Sequence, residues 1–132
     1  MEKQTRRIFL AGAPLAALTV ITSSFAVEKS GLLIHHVFFW LKNPSSKEDF
    51  QKLIEGIKTL QQIEALSEFV IGIPAQTPKR SVIDDSYSVS LFTRFQDVLA
   101  HNAYQDHPIH KKFVEKYSSL WNKVQVYDSV NI

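Results

Sequence analysis

The chain has no cysteine, one methionine and only four glycines in 132 residues. Without cysteine there is no disulfide framework, no thiolate nucleophile and no cysteine-ligated zinc. A lipid anchor on a lipobox cysteine is excluded for the same reason. The glycines form neither a Gly-x-Gly-x-x-Gly nor a Gly-x-x-x-x-Gly-Lys loop for phosphates, and no Gly-x-Ser-x-Gly elbow presents a nucleophilic serine. Long apolar runs are missing too: Ile8 to Ile21 falls short of the roughly 18 residues that span a bilayer, and Gly12 and Pro14 weaken it further. What remains is 45% hydrophobic and 21% charged, a composition that suits a single globular domain.

The first 26 residues read as a cleaved export signal, and residues 27–132 as the domain. Lys3, Arg6 and Arg7 precede the apolar run, and Ser24-Phe25-Ala26 offers small residues for cleavage. Thr5-Arg6-Arg7-Ile8-Phe9-Leu10 resembles the twin-arginine pattern; a general secretory signal containing two arginines is the alternative. Either route makes the mature chain periplasmic or extracellular, with no stable membrane anchor after cleavage. Cleavage also turns 15 basic against 13 acidic residues into twelve against twelve. A neutral domain has no bulk attraction for nucleic acid, which is excluded as a partner. Lys111-Lys112 near Glu115-Lys116 reads as a solvated helix face.

The mature part divides into β, α, β, β, α, β. Leu32 to Lys42 (LLIHHVFFWLK) is rich in branched and aromatic residues and stops at Asn43-Pro44, which predicts a strand. Its alternate residues are apolar on both sides, with Leu33, Val37, Phe39 and Leu41 on one face and Ile34, Phe38 and Trp40 on the other. Ser45 or Ser46 can cap a helix in which Phe50, Leu53, Ile54, Ile57 and Leu60 form one apolar stripe. Leu66 to Ile73, Tyr87 to Phe95 and Val124 to Val130 are the other strands. Gln76 to Asp85 is a loop, and about Gln96 to Trp121 is helical.

This order is the ferredoxin-like, split βαβ arrangement of an α+β protein: a four-stranded antiparallel sheet with both helical regions on one face. A first strand that is apolar on both sides needs cover on both sides. A second copy of the chain, set face to face as a homodimer, supplies it. Partial cover by the 76–85 loop is the monomeric alternative.

Within the second helical region lies NAYQDHPIHKKF, residues 102–113. Proline costs about 3 kcal/mol inside a helix but suits its first turn, so the helix should break near His107 and restart at Pro108. A histidine in that first turn, His110, is biased toward the neutral form and can act as a base toward a carbon flanked by carbonyls. Tyr104 can donate a hydrogen bond to the carbonyl oxygen as charge develops there. Each also has a structural reading: His107 as a junction or capping residue, His110 pointing to solvent, Tyr104 as a core aromatic. His35 and His36 face opposite ways, one toward the helices and the other toward the dimer face. Phe38 and Trp40 are core residues that can also floor an apolar ligand site. No metal and no cofactor are expected: His107 and His110 share a zinc-compatible i, i+3 spacing, but His35, His36, His101 and Asp106 are too scattered to give a third ligand.

Three stretches together resemble the stress-responsive dimeric α/β barrel, or Dabb, family: His36-Val-Phe-Phe-Trp-Leu-Lys42, Tyr87 to Phe95 running into Gln96-Asp97-Val98-Leu99, and Tyr104-Gln-Asp-His107-Pro108-Ile109-His110. The resemblance covers about residues 32–130, and the Tyr-x-x-His-Pro-x-His cluster is its most specific part. It implies a small homodimer of ferredoxin-like subunits. By similarity to a plant polyketide cyclase of this type, it also implies Tyr104 and His110 as the aldol machinery and His36 as a pocket wall; His107, Phe38 and Trp40 stand beside them as candidate binding residues on the general make-up of ligand pockets. A third-strand histidine of that cyclase has no counterpart, since Val89 stands there. Three functions follow: a metal-free, cyclase-like enzyme or binder for a small apolar carbonyl compound; a non-catalytic dimeric stress or carrier domain; and a monooxygenase-like barrel acting on haem or quinols. Whether the chain is an enzyme stays open among them.

Overall fold

The structure, a computed structural model, describes residues 31–132. The expected export signal over residues 1–26 lies outside the described residues. The chain forms β1 (Leu33–Leu41), α1 (Lys47–Thr59), β2 (Leu66–Gly72), β3 (Val89–Phe95), α2 (Val98–Asp106), α3 (Pro108–Tyr117) and β4 (Trp121–Val130). The strands make one antiparallel sheet in the order β2-β3-β1-β4. Among the described residues no helix is long and apolar enough to cross a membrane.

β1 runs down the middle and sets the two faces. Leu33, His35, Val37, Phe39 and Leu41 are buried, while Ile34, His36, Phe38 and Trp40 alternate with them and are half-buried. The buried set packs with Leu53, Ile57 and Leu60 from α1 and its trailing turn, Val89, Leu91 and Phe95 from β3, and Phe113 from α3. Each such side chain contributes roughly 1.5–3 kcal/mol by leaving water. α1 starts where Ser46 Oγ accepts the Asp49 N–H at 3.1 Å, with Glu48 and Asp49 in the positive first turn. Gly56 lets α1 approach α3: a Cβ there would lie 2.6 Å from the Tyr117 ring.

Two boundaries differ from the sequence expectation. β3 begins at Val89, not Tyr87, which precedes the strand and sets its ring edge-on to Phe38 with centroids 4.9 Å apart. β4 begins at Trp121, not Val124. α3 gives way to a 3-10 turn at Ser118–Leu120, after which Trp121 pairs with Leu41 across an irregularity and packs on Phe39 and Phe113, at 5.0 and 5.7 Å.

The face away from the helices carries Ile34, His36, Phe38 and Trp40 beside Phe92, Val70 and Tyr127. Ser86 and Tyr87, at the end of the long β2–β3 connection, cover one corner of it, with Trp40 Nε1 donating to Ser86 Oγ at 3.0 Å. Val70 and Tyr127 stay well exposed.

Candidate active site

A cavity of about 620 Å³ opens between the helix side of the sheet and the α2–α3 pair. Its walls are mostly apolar, with Val37, Phe39, Leu91 and Phe113 among them. Val124 and Val126 of β4 also line it and are exposed, so the cavity is open along the sheet edge. Its size is ordinary for a small-molecule site.

The helix break positions the two residues expected to do chemistry. His107 has extended backbone, accepts the Ile109 N–H through Nδ1 at 3.0 Å, and leaves Pro108 to open α3. α2 ends and α3 begins across this single residue, which brings Tyr104 and His110 together with ring centroids 4.9 Å apart. Tyr104 is only 1% exposed, wedged against Phe95 at 5.0 Å. Burial pushes its phenol far above the ordinary tyrosine range, so near neutral pH it keeps its proton and is not a phenolate. His110 is held below the usual histidine pKa, first by burial and then by nearby His35 and His101. The direction is the expected one, but burial, rather than the start of the helix, is the main cause.

The structure corrects the pocket wall on β1. His36 points away from the cavity and packs on Phe38 and Phe92, at 4.3 and 5.6 Å. Phe38 and Trp40 share that outer face. His35 occupies the wall instead, 4% exposed and with its ring 6.2 Å from that of Tyr104. The cause is strand alternation: Leu33, Val37 and Phe39 anchor the odd-numbered residues to the core. His107 likewise lies off the main cavity, beside a smaller pocket with Ala103 and Ile109, and works as a helix cap. Val89 is fully buried in the core.

The polar end of the cavity is one the sequence reading had not assembled. His35 Nδ1 lies 2.5 Å from Asp128 Oδ1 and 3.3 Å from His101 Nε2. The Gln105 side-chain amide is 3.4 Å from His35 Nε2. Burial lowers the pKa of His35, against an opposing pull from Asp128. His101, Tyr104 and Gln105 have the i, i+3, i+4 spacing of one helix face, a signal that was readable in the sequence. Asp128 joins them only because β4 pairs His35 with Asp128 in register, which no local pattern reveals.

A four-stranded antiparallel sheet with its helices on one side and a cavity between the layers defines a ferredoxin-like barrel subunit. The chain belongs to the Dabb family, the stress responsive A/B barrel domain, whose model matches residues 33–131. Among curated proteins none matches. Solved structures do. A Dabb family protein with a ferredoxin-like fold from Mesorhizobium loti is 26% identical, with a TM-score of 0.63 over 77% of this chain and 98% of that one. A hydroxynitrile lyase from Passiflora edulis shares 19% identity at a TM-score of 0.64, over 78% of this chain and 95% of its own. A dimeric ferredoxin-like protein of unknown function from Thermobifida fusca shares 16% at 0.60, over 76% and 92%. The last two likenesses concern the fold.

Proposed function

We propose that the cavity binds a small, largely apolar, carbonyl-bearing molecule and moves a proton on it without a metal. His110 takes the proton from the carbon beside the carbonyl, and Tyr104 donates a hydrogen bond to the oxygen where charge develops. The observation that carries the reading is the pairing of a neutral imidazole and a protonated phenol, rings 4.9 Å apart, on the wall of an apolar cavity. The hydroxynitrile lyase of the same fold supports it. The test is hydrogen–deuterium exchange at the α-carbon of an alkyl β-keto ester, followed by NMR in the presence of EDTA. The full chain should accelerate exchange and His110→Gln should lose most of the acceleration; a wild-type rate equal to buffer ends the proposal.

The reading extends to assembly and place of action. A face carrying Phe38, Trp40, Phe92 and Val70 favours burial against a second copy, and the relative from Thermobifida fusca is described as dimeric. The basic, apolar and small-residue succession over residues 1–26 supports export to the periplasm or beyond. Sedimentation and cell fractionation test these two points separately.

A further inference from the structure

We propose that His35, His101 and Asp128 together bind one divalent transition-metal cation of the zinc type at the polar end of the cavity. These three residues come from β1, α2 and β4, and one potential ligand atom from each lies within 4.8 Å of the others. This departs from the sequence expectation that no metal binds.

The hydrogen bonding around the three atoms points to a cation. His101 Nδ1 lies 3.3 Å from Asn102 Oδ1, an acceptor, which fixes the proton on Nδ1 and leaves the Nε2 lone pair facing His35. Gln105 Nε2 lies 3.4 Å from His35 Nε2, and with that amide turned over its oxygen takes the His35 Nε2 proton. In that tautomer the His35 Nδ1 lone pair faces both His101 Nε2 and the Asp128 carboxylate. Three electron pairs converge, and a proton on His35 Nδ1 can bridge to only one of its two neighbours. A cation satisfies all three.

Distances and donor chemistry agree. Two imidazoles and one carboxylate suit zinc and the neighbouring first-row divalent ions. Metal–nitrogen bonds of about 2.0–2.1 Å in tetrahedral geometry put ligand atoms roughly 3.3 Å apart, and His35 and His101 already stand at 3.3 Å. Asp128 starts closer, at 2.5 Å, and has to withdraw; its side chain is 47% exposed on the edge strand and free to do so. Asn102 and Gln105 then act as the outer partners that hold each ligating ring in its tautomer. Three protein ligands leave a zinc-type ion a further position for water or for the oxygen of a cavity ligand.

The test is titration of the metal-free full chain with ZnCl₂ alone by calorimetry, and with CoCl₂ by visible absorption. One ion per chain is expected, with the strong absorption of tetrahedral cobalt. His101→Gln and Asp128→Asn, both at partly exposed positions, should each weaken binding at least about tenfold. His107→Asn, which keeps a helix cap and removes an imidazole from outside the trio, should bind as tightly as wild type. Imidazole NMR of the unaltered chain gives a reading that needs no variant: of the five histidines, His35 and His101 should shift most on adding zinc. No saturable binding, or binding equally strong in both ligand variants, overturns the site. Because zinc titration uses no organic ligand and α-proton exchange is measured in chelator, either this proposal or the acid–base one can fail alone.

Discussion

Tyr104 and His110 face each other across the break at His107, the last turn of one short helix against the first turn of the next. Neither helix alone could place them so: along an unbroken helix, residues six apart are turned about 120° from each other and sit about 9 Å apart along the axis. Here the capped joint folds α3 back toward α2. Tyr104→Phe keeps the ring and removes only the hydroxyl. Exchange of the β-keto ester should fall about 10²-fold, with the melting temperature unchanged or slightly raised. A variant as fast as wild type would show that the phenol does not hold the oxygen.

Acid should destabilise the metal-free protein. His35, His36 and His110 all have folded-state pKa values below the ordinary 6.5, chiefly through burial. The unfolded chain therefore takes up protons first, so stability is full above about 6.5 and is lost as pH falls below it. Melting followed by circular dichroism in EDTA should show a clear drop between pH 7.5 and pH 5. His110→Gln should flatten that dependence. Catalysis runs the other way: since His110 stays neutral below the usual range, exchange should persist on the acid side of 6.5.

Gly56→Ala should lower stability although alanine is the better helix former. The propensity gain is at most about 1 kcal/mol, while a methyl 2.6 Å from the Tyr117 ring overpacks the α1–α3 contact at roughly 1–3 kcal/mol. Chemical denaturation measures the balance. Combined with Tyr117→Leu, the change should cost less than the two single effects together.

On the outer face, Phe38→Asp puts a charge among His36, Tyr87 and Tyr127. Sedimentation velocity should then show the dimer replaced by monomer at micromolar concentration, with zinc binding on the other side of the sheet retained. A wild-type chain that already sediments as a monomer would remove the dimer altogether.

Much of this architecture could be read in advance. The order of elements followed from local signals: the period-2 run at Leu33–Leu41, the apolar stripe from Phe50 to Leu60, and a proline that could only restart a helix. The break at His107 followed from that same proline, and the pairing of Tyr104 with His110 from the resemblance to the family motif. The choice between His35 and His36 was harder, since both faces of β1 read as apolar; the packing of Leu33, Val37 and Phe39 against the helices decides it, and the resemblance to a family motif had pointed to the other neighbour. His101 could be read from its place on the Tyr104 and Gln105 face of α2; Asp128 could not. It does not stand out along the chain, and it reaches His35 only because β4 pairs with β1 across everything between Leu41 and Trp121, two strands and three helices.

The His35-His36 doublet makes the protein unusually sensitive to chain length at one point. With Phe38 to Leu41 held in place, deletion of Val37 would rotate His36 inward and His35 outward. An imidazole would still hang over the cavity, but at the former place of Val37, two positions along the strand and opposite Val126 instead of Asp128. Composition would barely change, yet the polar end would be dismantled, so spacing along β1 matters as much as which residues it carries.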